Sequence, residues 1–181
     1  MTRCKWCNLD NPLYVEYHDK EWGVLNLDDS YLFEMLILES FQAGLSWECI
    51  LNKRENFRKA FDNFDPNLIS KYDEQKINAL MLDKGIIRNK LKIKAAINNA
   101  SIFLEIQREY ENFKNYVLNF TKDKIIYECD KTTNKLSDDI SKDLKKRGMK
   151  FIGSTIIYSY LQAIGVINSH DETCFLHVKA L

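Results

Sequence analysis

The stretch Leu38-Glu39-Ser40-Phe41-Gln42-Ala43-Gly44-Leu45-Ser46-Trp47 puts one acid on an apolar helix, one glycine turn behind it and one tryptophan at the start of the next helix. Upstream, Tyr31-Leu32-Phe33-Glu34-Met35-Leu36-Ile37 is apolar around nearly its whole circumference. It follows Asp28, Asp29 and Ser30, which favour a helix N-terminus, so the pattern predicts a largely buried helix ending near Gln42. An acid closing such a run has two fates. It reaches solvent at the helix end, or it points into a partly dry cavity and must find hydrogen-bond donors or a cation there.

The neighbours favour the second fate. Gly44 permits a turn or a close approach to a ligand, and Ser46 can cap a helix that opens at Trp47. Glu39 and Trp47 then flank one helix-to-helix corner. A flat aromatic face beside a carboxylate suits a planar, positively charged heterocycle: the face stacks, and the acid accepts its N–H groups. A methylated purine base is such an object.

Upstream of the corner, Asn11-Pro12 is a plausible N-cap and first helical position for a short helix to His18, and residues 1–25 otherwise read as irregular. Trp6, Tyr14, Tyr17 and Trp22 crowd this polar segment, and each ring must dock on the core or line a cavity. Downstream, a helix is expected from about Trp47 to Phe61, a short one starting at Asp65-Pro66, and one from Asp73 to Leu82 closed by Gly85. A long helix begins at Asn89 or Lys90 and runs to about Arg108. Glu111 to Phe120 reads as helical and Lys124 to Tyr127 as extended. Ser137 is the expected cap of a helix to Arg147 stopped by Gly148, and Ser154 starts an apolar helix to Ala163 stopped by Gly165. Eight or so helices, no convincing sheet and no internal repeat give an all-α class.

The 181 residues make one domain, 1–181, with 45% hydrophobic and 12% aromatic residues to fill a core. Disorder is expected nowhere but the C-terminal end. Membrane spans and a secretory leader are not seen in the sequence, so a cytoplasmic protein with no membrane partner is expected. Five cysteines do not read as a secreted disulfide framework. With 26 acids and 26 bases there is no global positive field, so any nucleic acid must be held by a local patch. Bases cluster at Lys53 to Lys59, Lys84 to Lys94 and Lys142 to Lys150, although a lysine-rich stretch is more often a solvated helix face.

The helix pair around Gly85 is a helix, a short glycine turn and a helix with bases on both sides. Exposed amides in such a turn can bind a DNA phosphate, as in helix-hairpin-helix motifs; a packing turn is the plainer reading. A second glycine is missing, its place being held by Asn89, Lys90 or Leu91. Potential metal ligands gather at both chain ends, and spacing alone leaves two sets open: Cys4, Cys7, His170 and Cys174, or Cys4, His18, His170 and Cys174.

Several blocks together resemble the 3-methyladenine DNA glycosylase I family: Arg3-Cys4-Lys5-Trp6, Asn11 to Val24, Leu38 to Trp47, Lys53 to Arg58, Gly85 to Lys90 and Lys145 to Gly153. They fall in order along nearly the whole chain. The resemblance implies a helix-hairpin-helix glycosylase fold with one structural zinc joining the chain ends through Cys4, His18, His170 and Cys174, which leaves Cys7 aside. It implies hydrolysis of the N-glycosidic bond of 3-methyladenine after base flipping, on double-stranded DNA containing alkylated adenine, by a monomer that releases free 3-methyladenine. Glu39 is then the catalytic acid of a base pocket with Tyr17 and Trp47, and Tyr14, Trp22 and Trp6 are its walls. Gln42, Gly44 and Leu45 beside the pocket, and Gly85, Arg88 and Lys90 at the hairpin, are the implied DNA contacts. The aspartate that most relatives in the superfamily carry after the hairpin is absent, with no Asp between Gly85 and Phe103. A lyase would need an amine near the hairpin, where Lys90 and Lys92 have no recognisable context. The reading from a different class is a non-catalytic, zinc-stabilised helical module that binds DNA or protein.

Overall fold

The structure, a computed structural model, describes residues 1–178. The C-terminal end, where disorder is expected, otherwise lies outside the described residues. The helices are α1 Pro12–Lys20, α2 Asp29–Gln42, α3 Trp47–Leu51, α4 Arg54–Ala60, α5 Pro66–Ile69, α6 Glu74–Leu82, α7 Lys90–Tyr110, α8 Phe113–Thr121, α9 Lys135–Lys146 and α10 Ser154–Ala163. No helix among the described residues is long and apolar enough to cross a membrane.

Helix α2 is the axis of the core. Asp28 caps it by accepting from the amides of Ser30 and Tyr31, and Leu32, Phe33, Met35, Leu36, Ile37, Leu38 and Phe41 are fully buried. A helix apolar all round has to be enclosed. Helices α10, α7, α3 and α8 pack around it, and Phe41 meets Phe57 and Phe61 edge-on at 4.9 and 5.7 Å between centroids.

Four expectations are corrected. The helix from Trp47 to Phe61 is broken at Asn52 and Lys53, where Asn52 accepts a side-chain bond from Asn11 and the Lys53 ammonium turns to the carbonyls of Lys84 and Gly85. Asp83, not Gly85, ends α6, and the φ of Gly85 is not positive. Tight packing favours the glycine instead: a Cβ there would lie 3.1 Å from Asn56, closer than an ordinary contact. Asn134 caps α9, and Ser137 is the reciprocal partner of the cap, its hydroxyl accepting from the Asn134 amide at 2.9 Å. A minimal parallel sheet also exists: β1 (Ile126–Tyr127) pairs with β2 (Ile167–Asn168) in the register Ile126 to Ile167.

The chain ends meet over α10. Gly23 and Asn26 donate to the carbonyls of Gln162 and Ile164, and the Phe175 amide donates to Thr2. Gly165 makes the closure possible, since φ is +75° and a Cβ would sit 2.1 Å from the Val24 backbone.

Candidate active site and metal centre

Four helices and the N-terminal loop surround one cavity of about 300 Å³. Helix α1 turns Tyr14 and Tyr17, three residues apart, to its inner side, and α2 contributes Glu39 and Gln42. Trp47 opens α3, whose Ser46 cap accepts from the Cys49 amide as the sequence predicts, and Trp6 and Trp22 complete the aromatic wall. All six expected base-pocket residues therefore converge. The rings brace one another: Tyr17 and Trp47 have centroids 5.2 Å apart, Trp6 and Tyr14 5.2 Å, and Trp6 and Trp22 4.8 Å.

Several buried polar atoms of this cavity are left without protein partners. Glu39 is 2% exposed, yet its Oε2 makes no hydrogen bond, nor do Gln42 Oε1 and Trp47 Nε1. Buried polar groups are normally satisfied, and an orphan marks strain, an ion or a ligand. Burial is the one cause that pushes the Glu39 carboxyl well above its ordinary range. Burial, followed by the nearby Glu39, also raises Tyr17, while Tyr14 is pushed up to about 12, chiefly by burial. The opposite wall is polar and includes Ser159, Gln162, Ser169 and Asp130, for which the sequence offers no signal.

The charge cluster near Tyr17 is built in the opposite way. Buried Arg54 donates to Glu34 at 2.6 Å and to Glu21 at 2.7 Å, and Tyr31 donates to the same Glu21 oxygen at 3.3 Å. These acids have their cation.

At the chain ends, the ligand atoms of buried Cys4, His18, His170 and Cys174 lie within 4.8 Å of one another. Cys4 Sγ is 3.4 Å from His170 Nδ1, and Cys174 Sγ is 3.5 Å from His18 Nε2 and 3.6 Å from His170 Nδ1. Tetrahedral zinc with ordinary Zn–N and Zn–S bonds sets ligand atoms roughly 3.3–3.8 Å apart, so these three distances and the donor set fit the ion. The outward nitrogens are held too: His18 Nδ1 is 2.7 Å from Asp19, which Arg3 holds down at about 2, and His170 Nε2 is 3.2 Å from the Trp22 carbonyl. Such outer partners fix the rotamer of a metal-bound imidazole. Burial pushes the Cys4 thiol up to about 12 and the His170 imidazole down to about 4, a penalty on charge that a divalent cation reverses for thiolates. Cys7 points instead to the Tyr14 carbonyl, 3.8 Å away, and His177 to that of His170.

At the hairpin, Asn89 caps α7 by accepting from the Leu91 and Lys92 amides. The Gly85 amide is taken by Asp83 at 2.7 Å and is not free for a phosphate. The Ile87 and Arg88 amides make no hydrogen bond among the described residues, and Arg88 is exposed with no ion pair there. Lys90 pairs with Glu74, and Lys92 is buried against backbone carbonyls, so neither amine lines the cavity. Beside the cavity, Gly44 (φ +78°) faces open space and Leu45 is 41% exposed.

A helical protein with an aromatic cavity around one unpartnered acid is built to draw a flat, electron-poor heterocycle out of solvent. The chain belongs to the methyladenine glycosylase family, whose model matches residues 6–177. It is 45% identical over 181 residues to DNA-3-methyladenine glycosylase 1 of Escherichia coli (strain K12), covering 96% of each chain. Among solved structures it is similar to a 3-methyladenine DNA glycosylase I with TM-score 0.93 and 43% identity, covering 98% of this chain and 100% of the other. Another, solved in complex with 3-methyladenine, has TM-score 0.92 and 32% identity, covering 99% of both.

Proposed function

We propose that this protein hydrolyses the N-glycosidic bond of 3-methyladenine in alkylated DNA, the first step of base-excision repair. The observation that carries the reading is Glu39, a carboxyl enclosed by aromatic rings with an unbonded oxygen. Methylation at N3 makes the everted adenine cationic, and that cation supplies to Glu39 what Arg54 supplies to Glu34.

Adenine offers an N–H donor on its Hoogsteen edge, whereas guanine presents two acceptors that an ionised Glu39 would repel. Trp47, Tyr17, Tyr14, Trp6 and Trp22 supply the stacking faces. Eversion is cheapest for a damaged base. The C1′–N9 bond then breaks with its electron pair going to the base, which leaves neutral. A water oxygen bonds to C1′, and its proton passes to solvent. Because the leaving group is already charged, positioning and a dry cavity carry most of the burden, and no amine nucleophile is used.

The chain acts as one domain and as a monomer on double-stranded DNA, with the α6–α7 hairpin in the helix-hairpin-helix role and Arg88 and the Ile87 and Arg88 amides on a phosphate. Lys90, half engaged by Glu74, is a weaker contact. Gln42, Gly44 and Leu45 meet the duplex beside the cavity. Cys4, His18, His170 and Cys174 would hold a zinc ion as four protein ligands, which would pin the chain ends and supply no chemistry to the reaction. The test is release of free 3-methyladenine from methylated duplex DNA, read by chromatography of the soluble fraction. Release with the strand left intact is expected; binding to the DNA without release would make the protein a non-catalytic module.

A further inference from the structure

Lys92 is only 6% exposed, and its ammonium donates to the carbonyls of Phe41 at 2.8 Å and Ala43 at 2.6 Å. For its own helix the residue is misplaced. It stands in the first turn of α7, where the helix dipole repels a cation, and burying an ammonium carries a further penalty. For the neighbouring helix it is well placed, because the last carbonyls of α2 have no intrahelical donor and its C-terminus attracts positive charge. The Gln42 carbonyl is taken separately, by the Leu45 amide at 2.6 Å.

The turn from Ala43 to Ser46 joins Gln42 and Trp47, two residues of the cavity wall, and exposes Gly44, Leu45 and Ser46. A nucleotide entering the cavity passes this rim. The opposite end of the strut is the hairpin: Asn89 accepts from the Lys92 amide, and the exposed Arg88 is next to Asn89 in the chain.

We propose that Lys92 is a positioning residue that locks the Ala43–Ser46 turn at the rim of the cavity to the α6–α7 hairpin, so that the DNA grip and the base-capturing wall move as one body. The idea rests on the proposed function for its catalytic half and on the hydrogen bonds alone for its structural half. Burial lowers the Lys92 pKa, a penalty on the ammonium that its two hydrogen bonds to carbonyls oppose. A strut of this kind pre-organises a binding surface without touching the ligand.

Lys92→Met keeps the stem and removes the donor; Lys92→Gln keeps a donor too short to reach both carbonyls. In Lys92→Met, hydrogen exchange of the Leu45 amide, which donates to the Gln42 carbonyl across the turn, should accelerate roughly tenfold while the middle of α2 stays protected. Single-turnover excision from duplex DNA should fall roughly tenfold, with affinity for free 3-methyladenine within about twofold of wild type. Lys92→Gln should lie between, and it carries the test if the methionine variant does not fold. Unchanged amide exchange would overturn the strut. Faster exchange with undiminished excision would overturn its part in catalysis, as would equal losses of excision and free-base affinity. Wild-type protein that releases no base would sink the proposed function, while the exchange comparison would still decide whether Lys92 holds the turn.

Discussion

The cavity and the cluster of Cys4, His18, His170 and Cys174 share helix α1, Trp6 and Trp22, yet they treat their polar atoms in opposite ways. In the cluster each imidazole nitrogen has a neighbour: two face the thiols and two face Asp19 and the Trp22 carbonyl. In the cavity Glu39, Gln42 and Trp47 keep unbonded atoms. A resident ion justifies a complete outer shell, whereas a ligand that comes and goes requires the protein to bear unsatisfied groups between visits. Both sites meet on α1, where Tyr17 faces the cavity and the adjacent His18 faces the thiols.

The largest effect should come from opening the complete shell. Cys174→Ala removes one of four ligands of the proposed zinc and unpins the C-terminal segment from Thr2, so zinc content and melting temperature should fall together. Removing a metal that ties down both ends of a domain destabilises it by several kcal/mol, on the order of the larger single-residue losses. Cys7→Ala should keep its zinc. Full occupancy in Cys174→Ala, measured by elemental analysis, would show that another residue completes the site.

Filling the role of the missing partner in the cavity gives the second test, and it has two signs. Glu39→Gln keeps the shape and an acceptor but removes the charge. Loss of a charge-assisted hydrogen bond in a dry pocket costs about 1.5–3 kcal/mol, so affinity for free 3-methyladenine, measured by titration, should drop roughly ten- to a hundred-fold. Stability should move the other way. Burial raises the folded pKa of Glu39, so its stabilising contribution is complete below the unfolded pKa and is lost as pH rises through the folded one. Glu39→Gln removes that loss, and its melting temperature should pass that of wild type increasingly from about pH 4 upward. Glu34→Gln, which removes the negative charge that Arg54 and Arg58 face, should destabilise instead. Wild-type affinity in Glu39→Gln would mean that the acid binds the base in its neutral form, and that shape rather than charge selects it.

Much of this contrast was legible in the sequence because it depends on local pattern. Asp28 to Gln42 carries its own cap and all-round apolar periodicity, and Asn11-Pro12 fixes α1, so the placing of Tyr14, Tyr17 and Glu39 follows from helix geometry. The choice between the two ligand sets was not local: Cys7 and His18 are equally good donors, and only the fold turns one inward. The break at Asn52 is a tertiary effect of Asn11, Lys84 and Gly85, all distant in sequence. Lys92 was visible only as one more base in a lysine-rich turn. Its position on the same helix face as Ala96 and Asn99, both buried, was the available signal, and the carbonyls it serves are about fifty residues away.

The smallest effect tests where the rule about unbonded atoms stops. Arg88 has no partner among the described residues, but it is exposed, and water satisfies an exposed guanidinium at no cost. The absence of a partner therefore says nothing about a ligand there, in contrast to Glu39, which is only 2% exposed. The case for Arg88 rests on its place beside two unbonded amides at the N-terminus of α7, a geometry that suits a phosphate oxygen. One phosphate contact releases about one counterion, so Arg88→Ala should reduce the slope of log affinity against log salt by about 0.9 on abasic-site duplex, to the same extent in every sequence context. Free 3-methyladenine should bind as in wild type, because the cavity keeps all its walls. An unchanged salt slope would make the hairpin a packing turn around Gly85 and Asn56, and a slope change limited to particular sequences would mean that Arg88 reads a base edge instead of a phosphate.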